Sequence, residues 1–423
     1  MSARLHELPG GVRLICDPVP GARTIALSVV ADGGARHESA AQSGWSHLLE
    51  HMVFKGAGGR GAKALVEAVE GEGGSLNAAT GHERTSFQAR VLPDGLDTAV
   101  SVIMDMVGRP WLKPDDLERE RDVIAQEIAE AYDAPDDHVF EMAQAAAFHD
   151  QALGRPILGE EVTLAAADPE ALSDWRARLY RPQGLVISAA GAVDEDRLIE
   201  LADRCLEEAA IAPSDHAYPS LETARFHGGP TELVREIEQA NLVFLIEGEG
   251  AMSDDLTTAR LAAELLGGGM SSRLFQTLRE DLGLVYAVDA WADAYADTGV
   301  LGLFMGTDAL EARRAAGAAA EVIRRLADDL TEDELARARA QLKASLYIGD
   351  ESLPNRAERN AVQLLAQGRI KTLGEMAEEV EAVSAQDVRL WLGSRLILHP
   401  AAACLGPAEA VGAPEAFIRR LAA

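Results

Sequence analysis

The chain opens with two runs of β-branched and mostly apolar residues, GVRLICDPV and TIALSVVADGG, which predict two strands around a turn within residues 5–32. In SGWSHLLEHMVFKG the apolar positions recur at helical spacing. AKALVEAVEGEGG predicts a second helix, stopped by Gly71, Gly73 and Gly74. SLNAATGHERTSFQARVL reads as a long strand or a hairpin. A helix, LDTAVSVIMDMV, follows Pro93, and from Pro114 the segment DDLERERDVIAQEIAEAY predicts a strongly charged one. Asp168 and Pro169 form a helix start, the first as N-cap and the second in the first helical position. GLVISAAGAV is a buried strand, and DEDRLIELADRCLEEA a closing helix. This mixture predicts an α+β layered domain of about 200 residues.

A less periodic stretch, APSDHAYPSLETARFHGGP, carries three prolines between residues 213 and 230 and is the expected linker. Beyond it the pattern begins again. LVREIEQANLVFLIEG predicts strands, TTARLAAELLGG a helix, and SSRLFQTLREDLG a further helix ended by Gly283. LVYAVDAWADAYADTGVLGLFMG then predicts strands, and long Ala-, Arg- and Glu-rich helices run to about residue 395. In both halves a helix, a glycine and a strand follow one another: Gly73-Gly74-Ser75-Leu76-Asn77-Ala78 in the first, Gly283-Leu284-Val285-Tyr286-Ala287 in the second. The order argues for a duplicated domain. The expected division is residues 1–212, a linker at 213–230, and residues 231–423.

At 423 residues the chain is too long for one ordinary core, and 48% hydrophobic with 26% charged residues is a globular composition. The net charge of −30 argues against nucleic acid and anionic membranes as partners, and fits basic peptides better than acidic ones. Cys16, Cys205 and Cys404 are odd in number and far apart, so neither a disulfide framework nor a thiolate metal site is expected. MSARLHELPGGVRLICDPVPG lacks an apolar stretch of signal-peptide length, and no run reaches membrane-spanning length, so the expectation is a cytoplasmic protein.

The chemistry concentrates in His47-Leu48-Leu49-Glu50-His51. On a helix, His47 and His51 share one face one turn apart, and Glu50 lies at its edge. Two such imidazoles make half of a tetrahedral zinc site, and a carboxylate beside them can take a proton from activated water. This is the inverted form of the zinc-protease helix pattern. A third ligand must come from elsewhere. The charged helix at 115–132 offers Glu118, Glu120, Glu127 and Glu130, and spacing alone does not choose among them. The second half has ELLGGGMSS where a metal helix would lie, so one half is expected to bind metal and the other to act differently.

HLLEHMVFKG, GGSLNAATGHERTSFQARVL, ERERDVIAQEI, GGGMSSRLFQTLREDLGLVYAV and DTGVLGLFMGT together resemble the pitrilysin, insulinase and mitochondrial processing peptidase family, in order and over essentially the whole chain. The resemblance implies a zinc endopeptidase of two homologous α/β-sandwich halves, each a mixed, mainly antiparallel sheet packed on helices, together forming a hollow clamshell that admits short or unfolded peptides. It implies one Zn²⁺ per chain held by His47, His51 and Glu127, with Glu50 as general base. Glu120 is then the carboxylate that orients a ligating histidine. Asn77 and Ala78 match an edge that hydrogen-bonds the substrate backbone. Arg279 and Tyr286, seven apart across Gly283, match a pair that stabilises the developing oxyanion. Short members pair, which implies a homodimer or a heterodimer with a related chain.

Two positions depart from the family pattern: Ala79 stands where an aromatic is common, and Phe87 where Tyr is common. GGGMSSRL resembles the short glycine segment of catalytic members. His82 is expected at the surface or the substrate side. The competing reading is a catalytically silent scaffold or partner subunit, and members of that kind usually lack the His or Glu residues that stand here. A metallohydrolase of small molecules is a third, weaker reading.

Overall fold

The computed structural model describes residues 3–211 and 218–423, so residues 213–217 of the expected linker lie outside the described residues. The remainder of that stretch runs without regular structure to Gly228, and a strand begins at Gly229. Two compact units form, and they interleave along the chain. The first comprises Met1–Ile128, Pro156–Glu222 and Ile348–Thr372, and the second Ala129–Arg155, Thr223–Tyr347 and Leu373–Ala423.

The first unit contains β1 (Arg4–Glu7), β2 (Arg13–Pro18), β3 (Ile25–Ala31), the ribbon β4 (Gly56–Ala57) and β5 (Arg60–Gly61), β6 (Ser75–Thr80), β7 (Thr85–Val91) and β8 (Leu185–Gly191). Six of these form one sheet in the order β1-β2-β8-β3-β7-β6. β2 and β8 run parallel; the other neighbours are antiparallel. β3 reads IALSVVA, apolar but for Ser28, and every residue of it is buried, as suits a central strand covered on both faces. The segment read as a strand or a hairpin is a hairpin, β6–β7, and β6 is an outer edge of the sheet.

One face of this sheet packs on the helices Trp45–Val53, Leu96–Gly108 and Glu195–Glu208 in a core that includes Leu48, Leu49, Met52, Ile103 and Leu201. The other face is covered by the helix Leu353–Gln367, contributed by the second half of the sequence. Its Ala361 and Leu364 pack on Ile15, Val30 and Val186, and its Ala357 on Ala26 and Ala190. Small residues on both sides let helix and sheet approach closely. A buried charge pins the contact: Arg356 donates to both carboxylate oxygens of Asp17 at 2.9 Å, and Asn360 to the same group at 3.1 Å.

The second unit has β9 (Gly229–Val234), β10 (Gln239–Glu247), β11 (Val285–Ala294), β12 (Gly299–Asp308) and β13 (Ala401–Gly406), in the order β11-β12-β10-β13-β9. All pairs are antiparallel except β13 with β9. The helices Leu256–Gly267, Ala312–Asp329, Ala385–Arg395 and Ala413–Leu421 cover one face. The other receives Val139, Ala143 and Ala147 of the helix Pro135–Ala147, from the first half of the sequence, against Val243, Leu245, Ala403 and Leu405. Each sheet is thus mixed, mainly antiparallel and enclosed by helices on both faces, the α+β sandwich the sequence predicts.

Two local irregularities depart from the predicted regular elements. Phe275–Asp281, expected as an ordinary helix, is a π-helical turn, and Gly283 follows it at φ +61°. The β11–β12 register shifts between Val285 and Ala287, which makes Tyr286 the extra residue of a β-bulge.

Candidate metal centre

The helix Trp45–Val53 begins at Gly44, whose φ of 89° suits glycine. The Glu38 carboxylate accepts from the amides of Gly44 (2.8 Å) and Ser46 (2.6 Å), placing a negative charge on otherwise unpaired N–H groups at the helix start. Trp45, Leu48, Leu49, Met52 and Val53 turn into the core. His47, Glu50 and His51 fall on the opposite, half-buried side.

The helix Pro114–Asp133 buries Leu117, Glu120 and Ile124 along one stripe. Glu127 continues that stripe and is half-buried, whereas Glu118 and Glu130 are exposed. Packing therefore makes the selection that spacing left open. Glu127 Oε2 lies 3.9 Å from His47 Nε2 and 3.6 Å from His51 Nε2. The imidazole rings stand edge to face, 4.6 Å apart. Among the described residues His47, His51 and Glu127 form the one group of three potential ligands whose donor atoms all lie within 4.8 Å of one another. His82 is not in it: it sits half-buried in the β6–β7 turn, and burial pushes its pKa down to about 4.

The donor set fits zinc. Two ligands each about 2.0–2.1 Å from a tetrahedral ion lie roughly 3.3 Å apart, so a small inward shift of the carboxylate closes the site. Ligation needs neutral imidazole, and burial, reinforced by the neighbouring His51, pushes His47 down to about 4. Glu120, only 5% exposed, accepts from His51 Nδ1 at 3.1 Å, which leaves Nε2 as the ligating nitrogen. Lys55 reaches the other oxygen of Glu120 at 2.7 Å. His47 Nδ1 is buried and has no hydrogen-bond partner among the described residues, which hold its ring by packing rather than by a second carboxylate.

Glu50 accepts from the Thr80 hydroxyl at 2.5 Å. Burial pushes its pKa up, and the Thr80 hydrogen bond opposes that. Lys55 and Thr80 were missed in the sequence. Thr80 was within reach of it, three residues after Asn77 in the same strand, but nothing in the letters connects it to Glu50. Asn77 and Ala78 pair with Gln88 and Phe87 of β7, and among the described residues no strand lies on the other side of β6. In the second unit Arg279 lies on the π-helical turn, exposed, with its guanidinium 4.9 Å from the Phe275 ring centre. Tyr286 is 58% exposed on its bulge.

Comparison with known proteins places these sites in context. The family described as Insulinase (Peptidase family M16) matches residues 15–161, and the one described as Peptidase M16 inactive domain matches residues 166–342. The chain is 31% identical over 385 residues to an uncharacterized zinc protease of Rickettsia bellii, covering 91% of this chain and 92% of the relative. It is 33% identical to an uncharacterized zinc protease of Bacillus subtilis, covering 90% and 93%. The fold is similar to that of a protease from Helicobacter pylori (TM-score 0.88, 19% identity, 96% of this chain and 99% of that one). It is also similar to a chain of Complex III2 from Candida albicans (TM-score 0.87, 20% identity, 99% and 100%).

Proposed function

Because this chain belongs to the insulinase family of zinc metalloproteases, peptidase family M16, we propose that it is an endopeptidase of short or unfolded peptides with Glu50 as its general base. The observation that carries this reading is the convergence of His47, His51 and Glu127 beside a half-buried carboxylate outside that ligand group.

The three residues hold zinc, which when bound supplies a Lewis acid able to lower the pKa of water to about 7. Glu120 holds the His51 ring through Nδ1 and compensates its charge. Glu50 takes the proton of the attacking water and returns it to the leaving amine. Its burial, which raises its pKa, favours a group that must both accept and give up a proton near neutral pH.

A peptide docks as an added strand on the open edge of β6 along the Asn77–Ala78 segment, its outward-facing backbone groups supplying affinity without demanding one sequence. Arg279 and Tyr286 donate to the carbonyl oxygen as it gains charge. The π-helical turn and the bulge that present them support this assignment, since such irregularities re-aim side chains at functional sites. The acidic surface favours basic peptides, and the protein works as a homodimer or a heterodimer with a related chain.

The competing reading is a silent scaffold or partner subunit. The intact ligand cluster and the half-buried carboxylate of Glu50 beside it favour the enzyme. Glu50→Gln should retain one zinc per chain by elemental analysis and lose hydrolysis of an unstructured peptide by at least about a hundredfold. A wild-type chain that takes up no zinc would favour the scaffold, and undiminished turnover by the variant would refute the assigned base.

A further inference from the structure

We propose that Thr80 is a positioning residue for the peptidase reaction: its hydroxyl fixes the orientation of the Glu50 carboxylate and ties it to the edge on which the peptide docks. The inference rests on the reading of Glu50 as general base. Thr80 is the last residue of β6, and its Oγ1 donates to Glu50 Oε2 at 2.5 Å. Across the turn that follows, the amide of Gly81 donates to the Arg84 carbonyl at 2.8 Å.

That contact across the turn fixes which way the strand's backbone groups point. In an antiparallel ladder, residues alternate between those bonded to the partner strand and those turned away from it. With Gly81 bonded to Arg84, the backbone groups of Thr80, paired with Thr85, are turned away from β7. By the same alternation the backbone groups of Ala78 and Leu76 face the open edge, and those of Asn77 and Ala79 face β7. Thr80 therefore ends the row of groups that an added peptide strand would engage. Its neighbours in that row bind substrate backbone, and it binds the base.

Thr80 can hold Glu50 because the chain behind it is fixed. The amides of Ala35 and Arg36 donate to the carbonyls of Gly81 (3.1 Å) and His82 (2.6 Å). A Cβ on Gly34 would lie 2.2 Å from the Gly81 carbonyl oxygen, so glycine is required for this approach. Thr85, opposite Thr80, donates from its hydroxyl to the Gly33 carbonyl at 3.0 Å. Threonine is itself stiff at χ1, so the hydroxyl position follows the backbone. Glu50 has a longer, freely rotating side chain on a separate helix. Without a fixed donor its half-buried carboxylate would sample several rotamers, most of them unsuited to proton transfer.

The test compares Thr80→Val, which keeps the shape and removes the donor, with Thr80→Ser, which keeps the donor. Both are measured by steady-state cleavage of an unstructured fluorogenic peptide, with zinc content determined on the same samples. Thr80→Val should lower kcat about tenfold with KM and zinc stoichiometry unchanged, and Thr80→Ser should recover most of it. Added to Glu50→Gln, Thr80→Val should cause no further loss of residual activity, because the group it positions is gone. Wild-type kcat in Thr80→Val, equal losses in Val and Ser, or a loss expressed as raised KM or missing zinc would overturn the proposal while leaving Glu50 as base. Full activity of Glu50→Gln would instead overturn the general-base reading, and this inference with it.

Discussion

His51 and Glu120 meet at 3.1 Å, imidazole Nδ1 to carboxylate Oε2, and that contact directs His51 Nε2 toward Glu127. A buried carboxylate behind a ligating histidine fixes both its tautomer and the ring plane. Glu120→Gln preserves the shape but removes the charge, and should weaken zinc affinity by about 10- to 100-fold, as read by competition with a chelator of known strength. An unchanged affinity would show that packing alone orients the ring.

Tyr286 is presented by a β-bulge and is largely exposed, so removing its hydroxyl costs the fold little. Tyr286→Phe should lower kcat by about a hundredfold with unchanged melting temperature and zinc content. A change confined to KM would assign Tyr286 to substrate binding and not to the oxyanion.

The anchor of the Leu353–Gln367 helix is a buried ion pair. Asp17 is 1% exposed and takes hydrogen bonds from Arg356 and Asn360. Asp17→Ala leaves Arg356 with only Asp350 and should destabilise the first unit by about 3 kcal/mol, since breaking one side of a buried pair leaves the other charge uncompensated. Chemical denaturation followed by tryptophan fluorescence measures this. A shift below about 1 kcal/mol would mean that the apolar contacts of Ala357, Ala361 and Leu364 hold the helix by themselves.

Acid should destabilise the metal-free protein through histidines outside the metal site. Burial pushes His37 and His82 from 6.5 down to about 4. Between those values the unfolded chain binds a proton that the folded chain does not, so stability is lost as pH falls from about 6.5 to about 4. His37 also accepts from the Gly34 amide at 3.1 Å and contacts the Tyr218 hydroxyl at 2.8 Å, so its protonation disturbs the Gly34 turn and the contact with Tyr218. Each group contributes on the order of 3 kcal/mol at the acid end of the window. Melting curves with chelator present should show Tm falling across this range, less steeply in His37→Gln. A flat profile would count against burial as the cause.

Local chain physics made the fold class and half of the metal site legible. Period 3.6 in SGWSHLLEHMVFKG places His47 and His51 on one face whatever the helix packs against, and the apolar run of GLVISAAGAV reads as the buried strand that β8 is. Glu127 was different. Glu118, Glu120, Glu127 and Glu130 are equivalent in a helical pattern, and family resemblance had to choose among them before the burial of Leu117 and Ile124 showed which carboxylates turn toward the histidines. The tertiary structure alone placed the helices Pro135–Ala147 and Leu353–Gln367 on sheets built from the other half of the sequence, because an amphipathic helix specifies that one face be covered and not by which sheet. It alone disclosed the Thr80–Glu50 hydrogen bond, the π-helical turn under Arg279 and the bulge at Tyr286. Those depend on the register and approach of segments distant in sequence, and side-chain periodicity carries no record of either.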